Sequence, residues 1–192
     1  NDTAVSLHYR YAAIKPAAPA PVVNKTVQAN TNVVATPEVK PAPAALSPEA
    51  VLLFKNVKTK LTDAEKNVFA DGFVLSPDKK QFIMDKESGD FPYDIQLYPT
   101  DINKDGQEEI FMLWGNSFTS GMTGSSISLF IKDKTGKFVS GLGFPGTLPD
   151  VLSTSNLGYP DLLIGGPGFE FPVWRWNGKA YDFYKQVKEA DY

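Results

Sequence analysis

The chain has 192 residues and a formal net charge of −3, with 42% hydrophobic and 21% charged residues, a balance typical of one globular domain with an added segment. It contains no cysteine, and its one histidine is His8. This composition excludes disulfides, thiolate catalysis and Cys/His zinc sites, and it leaves the rest of the chain without a histidine to activate a nucleophile.

The first 46 residues differ in composition from the remainder. All 15 glycines lie beyond residue 70, and of the 24 aromatic residues only Tyr9 and Tyr11 precede residue 47. Residues 16–45 contain six prolines and eight alanines, which favour an extended polyproline II conformation. We therefore predict a Pro/Ala-rich extended tether over residues 1–46 and a single globular domain over residues 47–192. The alternating residues 4–11 fit either a disordered end or a strand that docks elsewhere.

Charge and hydropathy narrow the classes of partner. The first 46 residues carry four basic and two acidic groups, so the predicted domain carries 15 basic and 20 acidic groups, a net charge of −5. An acidic domain without a stripe of Lys and Arg among aromatics is not expected to bind nucleic acid. No apolar run approaches the roughly 20 residues of a transmembrane segment, so none is expected.

Two helix-start patterns open the domain. Ser47 precedes Pro48 and Glu49, which is typical of an N-cap followed by a first helical turn, and this helix is predicted to reach about Lys58. Thr62 and Glu65 have the spacing of a capping box, and a second helix is predicted from there to the glycine at position 72.

Beyond residue 72 the apolar pattern alternates, with turn residues between short runs. The predicted fold class is α+β, mainly an antiparallel β meander with two short N-terminal helices. The predicted strands are residues 73–75, 81–84, 93–98, 109–114, 126–132, 137–142, 162–165, 173–176 and 180–186.

The last two strands predict a hairpin around a two-residue turn at Asn177 and Gly178. Alternation then places two sets of side chains on opposite faces. The set expected in the core is Trp174, Trp176, Tyr181 and Phe183, and the wetter set is Arg175, Ala180, Asp182 and Tyr184.

Residues 101–109, DINKDGQEE, carry the one motif with specific chemistry. Oxygen side chains at loop positions 1, 3, 5 and 9, a glycine at position 6 and a backbone carbonyl at position 7 are what a Ca²⁺ ion takes from one short segment. Position 12 is Met112 and the following residues predict a strand, which excludes an EF-hand. The alternative is a metal-free turn joining two strands.

This loop resembles the DxNxDGxxE/D calcium loop of FG-GAP and VCBS-type repeats, and residues 158–184, with their WNGK hairpin, resemble the partner unit of bacterial envelope domains. The resemblance implies calcium as cofactor and Asp101, Asn103, Asp105 and Glu109 as candidate ligands, and the loop pattern adds the backbone carbonyl of Gln107. Together with the Pro/Ala segment it implies a periplasmic or extracellular location in a bacterial envelope. The second unit lacks an acidic loop.

Two further segments have a functional and a structural interpretation. The loop of residues 115–126 is rich in Gly, Ser and Thr, which suits either backbone-mediated ligand binding or a flexible connection. A catalytic pair of Ser125 or Ser126 with Lys132 is a further alternative. Glu170 lies between two phenylalanines. With Asp161 or Asp150 as a second carboxylate it suits a glycosidase, in which Trp174 or Trp176 would be a sugar platform. The alternative is a structural role, with the aromatic residues in the core and Glu170 accepting hydrogen bonds from turn amides.

The sequence therefore favours a non-enzymatic binding or interaction module of the envelope or of a secreted protein, with a structural calcium loop. The expected partner is a peptide, a glycan or a partner protein of the cell envelope. The alternatives are a carboxylate-dependent hydrolase acting on glycans through Glu170 and a second acid, and a secreted enzyme inhibitor that uses residues 117–126 as a plug.

Overall fold

The structure is a computed structural model that describes residues 45–85, 91–165 and 170–188. Every described residue belongs to the second of the two units into which the chain divides, residues 41–192. The predicted tether, up to residue 44, and the alternating residues 4–11 lie outside the described residues. The described fold is therefore that of the second unit.

Two short helices begin where the capping residues predict. Helix α1 spans Pro48–Leu53, and the Ser47 hydroxyl accepts a hydrogen bond from the Ala50 amide at 3.1 Å. It ends earlier than predicted, and Asn56 just beyond it has a φ of 65°, outside helical space. Helix α2 spans Asp63–Ala70 and has the predicted capping box of Thr62 and Glu65. In the part of the chain that is described, no helix is long and apolar enough to cross a membrane.

A six-stranded antiparallel sheet, here called the main sheet, follows the helices. Its strands are hydrogen-bonded in chain order, so the predicted meander is confirmed. A four-residue helix, α3 (Ser117–Ser120), lies between its fourth and fifth strands. The strands are β1 Val74–Leu75, β2 Phe82–Ile83, β3 Pro92–Thr100, β4 Glu109–Gly115, β5 Ser126–Lys132 and β6 Phe138–Pro145.

A four-stranded antiparallel sheet, here called the second sheet, completes the domain in the order β10-β9-β8-β7. The sequence does not predict strand β7, because its residues DVLSTSN lack the apolar alternation of a half-buried strand and five of the seven are exposed. The strands are β7 Asp150–Asn156, β8 Tyr159–Leu163, β9 Glu170–Trp176 and β10 Tyr181–Lys188. The α+β, β-rich fold class is thereby confirmed.

The main sheet is apolar on both faces, and each face has its own core. Along β4, Ile110 and Met112 pack with the side chains of α1 and α2, whereas Phe111 packs with side chains of the second sheet. Because successive side chains of a strand point to opposite faces, this division follows from the strand geometry. The domain therefore has three layers, with the helices and the second sheet covering opposite faces of the main sheet.

The last hairpin has the predicted faces but a different turn. Tyr181 pairs with Trp176, and the Asn177 amide donates to the Ala180 carbonyl at 3.0 Å, so the turn lies one residue later than predicted, at Gly178 and Lys179. The register changes by two residues, which keeps each side chain on its predicted face.

Burial along the predicted core face of this hairpin is uneven. Trp176 and Tyr181 are buried at 8% and 3% exposure, Trp174 is half-buried, and Phe183 is 56% exposed. Phe183 lies beside a register shift between β9 and β10, near the end of the shared core. The predicted core face is thus confirmed for its inner part only.

This gradient predicts unequal effects of alanine substitutions on stability. Trp176→Ala should lower the free energy of unfolding by about 3–5 kcal/mol, because it removes a buried ring and leaves a cavity. Phe183→Ala, on the same face, should cost less than about 1 kcal/mol, because more than half of its ring already meets water. Urea unfolding of both variants measures the difference, and equal losses would contradict it.

Candidate functional site

The loop between β3 and β4 is closed by hydrogen bonds from its own backbone to its acidic side chains. Asp101 accepts from the amides of Asp105 and Gly106 at 3.0 and 2.9 Å. Asn103 Oδ1 accepts from the Asp105 amide at 3.0 Å, and Asp105 Oδ1 accepts from the Gln107 amide at 2.8 Å. The side chains at loop positions 1, 3 and 5 therefore lie close together.

The backbone of this loop requires two residues with positive φ. Lys104 has a φ of 62° and Gly106 a φ of 91°. The second value suits glycine, which has no side chain to oppose it. Gly106 therefore permits the sharp turn that brings Asp101 and Asp105 together.

Glu109 is buried beside this loop and is bonded to groups of the domain interior. It is the first residue of β4 and only 2% exposed. Its carboxylate accepts from the Ile102 amide at 3.0 Å and from the Tyr159 hydroxyl of β8 at 3.2 Å. Glu109 thus links the loop to the second sheet.

Burial governs the protonation of this pair. Desolvation raises the pKa of Glu109 because it disfavours the charged form, and the nearby Asp105 carboxylate adds to the rise. Desolvation, with the Glu109 charge beside it, raises the pKa of Tyr159 to about 12. Tyr159 therefore remains a hydrogen-bond donor throughout the ordinary pH range.

The preceding residue, Glu108, ties the loop to the other side of the main sheet. Its Oε2 accepts from the Thr59 hydroxyl at 2.6 Å and from the Lys60 amide at 2.8 Å, in the segment between α1 and α2. Two consecutive acidic residues therefore fasten the loop to opposite outer layers.

The donors of this loop suit calcium better than any softer metal, because they are carboxylate and amide oxygens. Asp101, Asn103 and Asp105 lie together, whereas Glu109 is engaged in the interior. Within residues 45–85, 91–165 and 170–188, no three His, Cys, Asp or Glu side chains are grouped so that they could hold a metal ion. Calcium binding stays a prediction, with three of the five predicted ligands side by side.

The second acid of the hydrolase alternative is closed in an ion pair. Asp161 of β8 is 0% exposed. Arg175 donates to its carboxylate through Nε at 2.9 Å and Nη2 at 2.6 Å, and the Thr154 hydroxyl donates at 2.6 Å. The bonds from Arg175 hold the pKa of Asp161 below its usual range. A carboxylate that is ionised and paired on both oxygens has no proton to give as a general acid.

The other groups of the catalytic alternatives are also dispersed. Glu170 is the exposed first residue of β9 and pairs in register with Lys188, and Asp150 is the exposed first residue of β7. The Lys132 amine is bonded to Glu65, not to a serine. Of the two proposed sugar platforms, Trp176 is buried and Trp174 stacks on Phe144 with ring centroids 4.8 Å apart.

The polar groups of the loop of residues 115–126 form hydrogen bonds that restrain the loop. Asn116 Oδ1 accepts from the amides of Phe118 and Thr119, and its Nδ2 donates to the Pro92 carbonyl at 2.9 Å. Ser120 and Ser126 share a hydroxyl hydrogen bond of 2.9 Å, and both are buried. A Cβ at Gly115 would lie 2.4 Å from the Ser120 hydroxyl, so this close approach requires glycine.

The same loop presents apolar side chains to solvent, which the sequence did not predict. Phe118 is 72% exposed and Met122 is 107% exposed. The Phe118 ring stacks on Phe91, itself 47% exposed, at 4.7 Å and an angle of 8°. We call Phe91, Phe118 and Met122 the apolar tip. Two large apolar residues within a run of Gly, Ser and Thr were the only sequence signal for it.

Glu109 predicts a pH dependence of stability in calcium-free buffer. Because its pKa is raised on folding, the folded state holds the proton more tightly, and the free energy of unfolding falls as pH rises from about 4.5 through the raised value. Glu109→Gln should flatten this slope, measured as melting temperature against pH.

A control separates this slope from that of other acids. The hydrogen bond from Lys132 lowers the pKa of Glu65 to about 2, so the stability from this pair is present above pH 4.5 and is lost as pH falls toward 2. Glu65→Gln should therefore alter only the acid side of the profile. A Glu109→Gln variant that keeps the wild-type slope above pH 4.5 would contradict the assignment.

Comparison with known proteins adds no relative to this geometry. No protein-family model, no curated protein and no solved structure matches the chain. The likeness of residues 101–109 to a calcium loop therefore stays a prediction from nine residues.

Proposed function

We propose that residues 47–192 form a non-enzymatic interaction module of an exported protein, with the loop of residues 101–109 as a structural calcium site. The observation that carries the interaction role is the apolar tip. Burying a Phe or Met side chain is worth roughly 1.5–3 kcal/mol, so a partner that covers both Phe118 and Met122 would gain this free energy on binding.

The loop that carries the tip supports a binding role because it is held in one conformation. The Asn116 cap, the Ser120–Ser126 bond and the bond from the Ser125 hydroxyl to the Gly146 carbonyl at 2.9 Å restrain it on three sides. A restrained loop loses little conformational entropy on binding. Phe118 and Met122 are thus presented in advance of any contact.

The chemistry of the described residues favours binding over catalysis. Asp161 is paired with Arg175, and Lys132 is paired with Glu65. Location in the bacterial envelope is the part of the proposal that rests on the Pro/Ala-rich residues 16–45 and on the resemblance of the acidic loop.

A secreted enzyme inhibitor is the second candidate, and the restrained, protruding loop favours it. An inhibitor would insert the apolar tip into a concave site of an enzyme, whereas an envelope module would bring it against another surface. The sequence predicts a peptide, a glycan or a partner protein as the partner. Because the tip is apolar, it favours a peptide or a protein with an apolar surface over a glycan.

Calcium should stabilise the domain, because a ligand that binds only the folded state adds RT ln(1 + [L]/Kd), or about 2.7 kcal/mol at a hundredfold excess over Kd. The measurement is the melting temperature in millimolar calcium and in chelator. Asp105→Ala should abolish the increase.

The matched control for this test is Asp133→Ala, in the turn between β5 and β6. Asp133 also accepts amide bonds within its own turn, from Thr135 at 2.8 Å and Lys137 at 3.0 Å, but it belongs to no calcium-like motif. That variant should keep the full response to calcium. Identical melting of the wild type in calcium and in chelator would leave the loop as a metal-free turn.

If the apolar tip serves binding and not folding, its removal should cost little stability. Phe118→Ser with Met122→Ser removes one ring stack, worth about 0.5–1.5 kcal/mol, and no buried contact. The melting temperature should fall by no more than about 2–4 °C per kcal/mol lost. A fall as large as that of Trp176→Ala would make the tip a structural element and defeat the proposed role.

A further inference from the structure

We propose that the apolar tip inserts into the surface of a zwitterionic lipid membrane. The inference rests on the proposed interaction role of the same loop and names its partner. The main sheet carries its charged residues unevenly between its two ends.

The pairing register defines these ends. Gly115 lies opposite Asp94, and Ser126 lies opposite Trp114 and Pro145, so the end of β4, the start of β5 and the end of β6 share one end of the sheet with the apolar tip. The acidic loop of residues 101–108 and the turn of residues 133–137 share the other end.

The end that carries the tip is nearly free of charge. Residues 115–131 and 138–149 contain no Asp, Glu, Lys or Arg. At this end of the main sheet the exposed Asp94 of β3 pairs with Gly115, and the exposed Asp150 of β7 directly follows residue 149. Residues 86–90, which precede Phe91, lie outside the described part of the chain and carry one basic and two acidic groups. This end offers no basic cluster, among the described residues, to an anionic partner.

The polar groups of the loop are already engaged. Five of its six hydroxyl side chains are hydrogen-bonded within the domain, those of Thr119, Ser120, Thr123, Ser125 and Ser126. A protein interface of ordinary composition forms about one hydrogen bond per 100–200 Å². This loop presents apolar side chains to solvent, and most of its hydroxyls are already hydrogen-bonded within the domain. It therefore suits a partner that does not need to form hydrogen bonds with it.

The shape of the tip also favours a membrane as its partner. Met122 is as exposed as a free residue and Phe118 is 72% exposed, so the tip stands out from the surface. A flat protein surface would leave a gap around it and a protein pocket would need a matching shape, whereas the acyl and headgroup boundary of a bilayer closes around it. Because the flanking charges are acidic, lipids without net charge suit it better than anionic ones.

The test is flotation of the full chain with phosphatidylcholine vesicles, in chelator. The wild type should float with the vesicles, and Phe118→Ser with Met122→Ser should lower the partition coefficient by about tenfold or more. Added phosphatidylglycerol should not strengthen binding, and added salt should not weaken it. Replacing the chelator by calcium should not change vesicle binding, because the acidic loop lies at the other end of the main sheet.

The matched control replaces two exposed valines on the helices. Val51 and Val68 are 55% and 60% exposed, and Val51→Ser with Val68→Ser should leave vesicle binding unchanged. Equal losses in the two double variants would overturn the inference, and so would a wild type that does not float.

Two further outcomes would also overturn it. Binding that requires phosphatidylglycerol and disappears with salt would come from basic groups elsewhere. A wild-type dimer in sedimentation equilibrium that the tip variant loses would make a second copy the partner. In either case the proposed interaction role is still supported if the tip variant folds stably. If the tip variant unfolds, both the interaction role and the membrane inference are contradicted.

Discussion

The main sheet is apolar on both faces, and this constraint organises the rest of the domain. In β4 three consecutive residues, Ile110, Phe111 and Met112, are 0%, 5% and 5% exposed although they alternate between faces. A sheet with such strands has to be covered on each side. Helices of six and eight residues are too short to be stable in water by themselves, so they persist because they cover one face. The second sheet covers the other.

The acidic loop lies where these layers meet, and its buried carboxylate needs donors from more than one of them. Burying the charge of Glu109 without partners would cost several kcal/mol. Its carboxylate receives one hydrogen bond from the loop amide of Ile102 and one from Tyr159 of the second sheet. Glu108 holds the segment between the helices in the same way. The loop therefore contributes to the layer arrangement whether or not it binds an ion.

The two ends of the main sheet differ in charge, and the two proposed roles lie at opposite ends. One end holds the acidic loop, where a cation would tighten the contacts among the layers. The other end holds the apolar tip on a loop in which five of six hydroxyls are hydrogen-bonded within the domain. Because the register places the two loops at opposite ends of β3 and β4, we expect a change at the tip to leave the acidic loop intact, so that the two proposed roles can be altered independently.

The sequence by itself determined the local features, because each depends on residues close together in the chain. The Thr62–Glu65 capping box, the order of the meander and the turn at Gly106 are of this kind. The mutual approach of Asp101, Asn103 and Asp105 is also local, since their spacing is that of one tight loop.

Tertiary structure decided the features that depend on distant partners. Strand β7 exists because β8 pairs with it, although its own residues are polar. Glu109 turned inward because Tyr159, 50 residues away, offers a hydroxyl there, and Asp161 became an ion-pair partner because Arg175 lies across β8 and β9. Whether Phe118 and Met122 are core or surface was likewise undecided by their sequence, since exposure depends on which elements pack above a loop. In the folded domain Ser120 and Ser126 of that loop are buried and bonded to each other, whereas Phe118 and Met122 are exposed to water.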